Sequence, residues 1–166
     1  MTQSSDQNTT IWMTEKAFAA LKEQLTELKH DTRSDVVAKI SAARDEGDLK
    51  ENGGYHAARE EQGKLESQIR QLEEILEHAD HTPASDDGVV KPGMTVTTRF
   101  ADGGTEEFLL ATREMEEFTG GLQVYSPQSP LGTALIGTKV GDSVTYEAPN
   151  GKELKVEVGS AVPYAD

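Results

Sequence analysis

The chain of 166 residues contains no cysteine, and that absence removes disulfides, zinc–thiolate centres, iron–sulfur clusters and thiol catalysis together. It also lacks any run of about 20 apolar residues, so a membrane-spanning helix is not expected. Residues Met1 to Thr10 are polar, without the basic-then-apolar plan of a secretory leader, and the expected compartment is the cytoplasm. Basic side chains are scarce as well: 16 against 30 acidic ones, for a net charge of −14. A broad nucleic-acid-binding surface works by displacing counterions from phosphates with Lys and Arg, and this balance argues against one. Only 35% of residues are hydrophobic and 5% aromatic. So lean a composition suits an elongated part, because a helical hairpin needs only a seam of apolar residues.

What is present changes character near residue 80. Before that point apolar residues recur at helical spacing, and Pro83 is the first proline; beyond it most of the Gly and Pro appear and apolar residues alternate. Both halves are acidic. Thr14 suits the N-cap of a first helix, with Glu15 in its opening turn. Phe18, Leu21, Leu25, Leu28 and Thr32 then follow the 3-4 steps of a coiled-coil seam, continued by Val36, Ile40 and Ala43. The polar stretch Asp31 to Asp35 suggests a local irregularity within it. A second seam runs without interruption through Tyr55, Ala58, Gln62, Leu65, Ile69, Leu72, Leu76 and Ala79. Only a tight reversal at Gly47-Asp48 separates the two, which predicts an antiparallel hairpin, its first helix roughly 50 Å long.

The second half reads as short strands at Met94–Phe100, Glu107–Thr112, Leu122–Ser126, Ser143–Glu147 and Glu153–Val158. One helix is expected among them, capped by Ser129, opened by Pro130 and ended by Gly137. The fold class is therefore α+β: a coiled-coil hairpin followed by an antiparallel sheet with one short helix. Its expected parts are a disordered extension over 1–13, a coiled coil over 14–80 with a tip at 44–52, a linker over 81–88 and a globular domain over 89–166.

The tip reads Arg44-Asp45-Glu46-Gly47-Asp48-Leu49-Lys50-Glu51-Asn52. Asp48 and Glu51, three apart, can share one helix face. Two ionised carboxylates on the end of a rod can contribute to a Mg²⁺ shell, but the remaining ligands must come from another site. The same spacing also fits a capping box, with Asp48 as N-cap and Glu51 at the third helical position, and this is the commoner use of such a pattern. Spacing alone leaves both readings open.

Gly47-Asp48-Leu49-Lys50-Glu51-Asn52, followed by Tyr55-His56-Ala57-Ala58-Arg59 and Gln62-Gly63, resembles the tip of bacterial transcript-cleavage factors of the Gre family. Ser129-Pro130-Leu131-Gly132-Thr133-Ala134-Leu135-Ile136-Gly137, with Val140-Gly141-Asp142, is similar to a segment of that family's C-terminal domain. The resemblance implies an FKBP-like C-terminal domain that docks on RNA polymerase while the coiled coil enters the secondary channel. It implies that Asp48 and Glu51 assist the polymerase's own metal site, sharing Mg²⁺ only in the complex, in cleavage of a backtracked RNA 3′ end. Lys50 and Asn52 match motif positions that contact RNA or polymerase. Arg44 and Arg59 can touch the transcript or line a solvated face. Ser129, Pro130, Leu131 and Thr133 are the expected docking residues. The implied protein is a monomer associated with the nucleoid through polymerase, with no membrane partner and no cofactor bound alone. It is a helper of the polymerase's activity, not a free-standing enzyme. A non-cleaving antagonist of the same channel is the alternative. A prolyl isomerase is a third class, weighed down by the expectation that the sole tryptophan, Trp12, lies outside the globular domain. Gly53-Gly54 departs from the family's more helix-favouring pair, at a cost of roughly 1 kcal/mol per glycine relative to alanine.

Overall fold

The structure, a computed structural model, describes residues 10–47 and 52–165. It divides into two bodies: residues 18–78, and residues up to 17 together with those from 79 onward.

The first body is the hairpin. Helix α1, Glu15–Glu27, begins where Thr14 Oγ1 accepts the N–H of Ala17 at 3.0 Å, the cap read from the sequence. A π-turn follows at Leu28–Thr32, then helix α2, Arg33–Asp45. The irregularity expected near Asp31 is thus a change of helix type without a break. Helix α3 returns over Gly53–Glu77. Val36, Ile40, Ala58, Leu65 and Ile69 form the buried seam, with Leu25, Leu28 and Tyr55 packed at its margins. Among the described residues three ion pairs bridge the helices outside it: Lys29–Glu73, Arg33–Glu66 and Lys39–Glu61. They are half-exposed, so the apolar seam carries most of the stability.

The second body holds a two-stranded parallel ribbon and a five-stranded sheet. Strand β1, Ile11–Trp12, pairs with β2, Ala79–Asp80. Residues 1–9 of the expected disordered extension lie outside the described residues, but its last part is ordered here. Trp12 and Met13 are buried, and the Trp12 indole donates to the carbonyl of Thr82 at 2.8 Å. The expected extension therefore does not reach residue 13: Ile11, Trp12 and Met13 pack in this body because apolar side chains gain from burial. Trp12 also packs on Gly93, where a Cβ would lie 2.6 Å from the indole. The tryptophan thus belongs to the globular body, contrary to expectation.

The large sheet contains β3 (Met94–Phe100), β4 (Thr105–Leu110), β5 (Gln123–Tyr125), β6 (Ser143–Glu147) and β7 (Glu153–Pro163), in the order β5-β4-β3-β7-β6. Its pairs are antiparallel except β4–β5. That parallel pair differs from the all-antiparallel reading. The chain makes a 3₁₀ turn at Arg113–Phe118 and passes through Gly120 and Gly121, both at positive φ, before re-entering beside β4 in the same direction. Opposite Thr97–Thr98 of β3, Gly159 is an unpaired bulge residue in β7, and the strand runs on to Pro163, past its expected end. Met94, Val96, Phe108, Leu110, Val156 and Val158 form the sheet's core, closed by Leu131 and Leu135 of helix α4, Pro130–Leu135.

Candidate functional site

At the hairpin's end the chain leaves α2 through Gly47, whose φ of +125° suits glycine and strains other residues. Asp48, Leu49, Lys50 and Glu51 lie outside the described residues. Asn52 resumes the path with extended backbone angles and is the N-cap of α3. Its Oδ1 accepts the N–H of Tyr55 at 3.0 Å, and its Nδ2 donates across the hairpin to the carbonyl of Ala43. The helix thus begins at Gly53, four residues later than a capping box led by Asp48 requires. The physical reason is that Asn52 bonds to both arms of the hairpin at once, capping α3 and holding the end of α2. Asn52, expected as a contact for RNA or polymerase, has both of its side-chain polar atoms engaged in the protein.

Arg44 is likewise occupied: its guanidinium lies 5.9 Å from the centre of the Tyr55 ring. Tyr55 meets His56 edge-on, their rings 5.6 Å apart. Arg59 is exposed one turn further along α3. Asn52, Tyr55 and Arg44 therefore form a brace at the base of the Asp48–Glu51 segment, leaving those carboxylates' companions Lys50 and Arg59 as the remaining sequence-derived contacts. Sequence reasoning missed the brace because an Asn at a helix start and an Arg eleven residues before a Tyr carry no recognisable periodic signal.

The second candidate region surrounds α4. Ser129 Oγ accepts the N–H of Gly132 at 3.1 Å and donates to the Ser126 carbonyl at 2.6 Å. Pro130 occupies the first helical turn, and Gly137, at φ +88°, follows the helix end. Gly132 is required by contact, since a Cβ there would lie 2.2 Å from the Ser126 carbonyl oxygen. Of the four expected docking residues, Pro130 and Thr133 are exposed and Ser129 is half-buried. Leu131 is 2% exposed and belongs to the core. A substitution there reports on folding, because the apolar face of so short a helix must point at the sheet.

Beside α4 runs a groove of about 590 Å³ floored by Leu131, Tyr125 and Tyr146 and edged by Pro130, Ala148 and Pro149. Burial and the hydrogen bond to Glu106 push the Tyr125 phenol up to about 12; its O–H donates to Glu106 Oε2 at 2.9 Å. Burial also raises Tyr146. Both phenols stay neutral through the physiological range.

The family profile "Transcription elongation factor, N-terminal" matches residues 11–80, and "Transcription elongation factor, GreA/GreB, C-term" matches 85–162. The chain belongs to the GreA/GreB family of transcription elongation factors. The Streptomyces coelicolor protein named transcription elongation factor GreA is 52% identical, over 99% of each chain. The GreA of Saccharopolyspora erythraea is 54% identical over 92% of this chain and 94% of its own. That of Mycolicibacterium smegmatis is 49% identical over the same shares. The first profile begins at Ile11, where β1 begins. Among the described residues, no helix is long and apolar enough to cross a membrane.

Proposed function

We propose that this protein acts on RNA polymerase as a transcript-cleavage factor, carrying Asp48 and Glu51 on the end of its hairpin into the polymerase's secondary channel. There they assist the polymerase's own hydrolysis of the extruded RNA 3′ end in backtracked complexes. The observation that supports this best is the braced hairpin end. Asn52, Ala43, Arg44 and Tyr55 hold the two flanks of a short acidic segment at fixed separation, on a narrow two-helix support.

The donor chemistry fits a shared ion. Among the described residues no group of three or more His, Asp or Glu is arranged to hold a metal. Asp48 and Glu51 supply two hard oxygen donors, suited to Mg²⁺ but short of its octahedral shell, so the remaining ligands belong to the polymerase, the RNA and water. When bound, the ion stabilises charge on attacking and leaving oxygens. The chain's own contributions are to deliver the two carboxylates, to orient a water by hydrogen bonding to them, and to exclude bulk solvent. The α4 region and its groove serve as the anchor on the polymerase surface, with Pro130 and Thr133 as outward-facing contacts. This reading makes the protein a cytoplasmic partner of the transcription machinery.

The test is RNA cleavage in stalled, backtracked bacterial polymerase complexes with Mg²⁺. Wild-type protein is expected to stimulate cleavage strongly, whereas Asp48→Ala and Glu51→Ala bind polymerase normally and lose stimulation. Normal cleavage by both variants would overturn the metal-assisting role. Tight binding by the wild type without stimulation would instead identify a channel antagonist.

A further inference from the structure

The first arm of the hairpin carries one residue more than a regular seam needs. From Phe18 to Thr32 the inward positions advance by three and four alternately, and the same rhythm would next select Asp35, Lys39 and Ala42. Those three are exposed. The buried residues are Val36, Ile40 and Ala43, each one place later. In an uninterrupted α-helix an offset of one residue is a rotation of about 100°, enough to turn the distal positions away from α3. The π-turn absorbs the offset. The N–H of Arg33 bonds to the carbonyl of Leu28, five residues back, so an additional residue enters one turn and the seam beyond it stays in phase.

Backbone geometry alone does not decide where along the helix such an insertion sits. Two side chains here reach α3: Lys29, inside the π-turn, to Glu73 at 3.1 Å, and Arg33, immediately after it, to Glu66 through a two-bonded fork at 2.9 and 2.8 Å. We propose that Arg33 and Glu66 are positioning residues for the hairpin end. Their fork holds the extra residue within Leu28–Thr32 and thereby fixes which face of α2 meets α3 at Ala43 and Gly54. The consequence for RNA cleavage rests on the function proposed above; the placement of the hairpin end does not.

Because the chain has no cysteine, phase can be read directly. A Cβ on Gly54 would lie 4.0 Å from that of Ala43, within the separation of about 3.5–4.5 Å that a disulfide spans. Full-length Ala43→Cys/Gly54→Cys is expected to close rapidly to an intramolecular disulfide, followed by mass spectrometry without polymerase. Arg33→Met slows closure about three- to fivefold, the scale on which an exposed bidentate pair acts. The exchanged pair Arg33→Glu/Glu66→Arg restores it. Deleting His30, an exposed residue inside the π-turn, leaves closure intact and makes it insensitive to Arg33→Met, since a regular heptad needs no lock. Circular dichroism checks that helix content is retained throughout. Closure at the parental rate in Arg33→Met overturns the proposal, as does continued slowing by Arg33→Met after His30 is deleted. If the deletion does not fold, the exchanged pair decides: failure to restore closure overturns it. With polymerase, Arg33→Met lowers the maximal cleavage rate and leaves the half-saturating concentration unchanged. Absence of cleavage by the parent would remove the function proposed above, while the disulfide rates would still decide the positioning role.

Discussion

Asn52 and Ala43 are joined across the root of the hairpin turn: the Asn52 amide donates to the Ala43 carbonyl while its oxygen caps the helix that follows. One side chain therefore ends one arm and begins the other. Asn52→Ala removes both interactions and is expected to cost about 0.5–2 kcal/mol, the range of a lost N-cap. Asn52→Asp keeps the capping acceptor and loses the donor, so it separates cap from brace. Thermal unfolding by circular dichroism should rank wild type above Asn52→Asp above Asn52→Ala. RNA cleavage should fall in both variants, and unchanged cleavage in both would count against the brace as a support of the tip.

Leu131 and Thr133 sit two residues apart on α4 and face opposite environments. Leu131→Ala should cost about 2–5 kcal/mol through the cavity it leaves. Thr133→Glu should leave the melting temperature nearly unchanged and weaken polymerase binding. Unchanged affinity in Thr133→Glu would count against this surface as the anchor.

Gly93 accommodates the Trp12 ring and holds a φ of +94°. Gly93→Ala therefore meets both a steric and a backbone obstacle. A loss of about 1–3 kcal/mol is expected. As the sole tryptophan, Trp12 reports it directly: its fluorescence-detected unfolding midpoint should fall, and its emission should shift to the red as the ring becomes solvated.

Tyr125 gives the globular body an alkaline limit. Its phenol is raised from an ordinary value of 10.0 to about 12, mainly by burial and secondarily by Glu106. Between those values the unfolded chain has released the proton and the folded one has kept it. Stability is thus fully present below pH 10 and declines as pH rises toward 12. Denaturant unfolding across that window should show a decline that is shallower in Tyr125→Phe.

Much of this was legible from residue order alone. Seams at 3-4 spacing require two helices, and a short connection between them predicts that they run antiparallel; the expected two-residue reversal was too short, because α2 ends at Asp45 and α3 starts at Gly53. Thr14, Ser129-Pro130 and Gly137 mark helix ends because capping is local chemistry, settled within three or four residues. The strands Met94–Phe100 and Ser143–Glu147 fall where they were expected for the same reason: alternation and flanking turns are local. The acidic string at the tip was also visible as a motif.

What residue order did not decide depends on partners distant in the chain. Trp12 and Ile11 become part of the globular body only because Thr82, Gly93 and β2 are brought beside them. Strand β5 runs parallel to β4 because of the path taken between them, which no alternation of residues encodes. Asn52 became a cap and brace, and Leu131 a core residue, once the opposite arm and the sheet were in place. The amino-acid sequence by itself determined the helices, most strands, the family and the carboxylates offered at the tip, since each is written in spacing or in a contiguous motif. Tertiary structure alone decided the phase of the hairpin, the brace beneath its end and the allegiance of the N-terminus, because each depends on contacts between segments that only folding brings within reach.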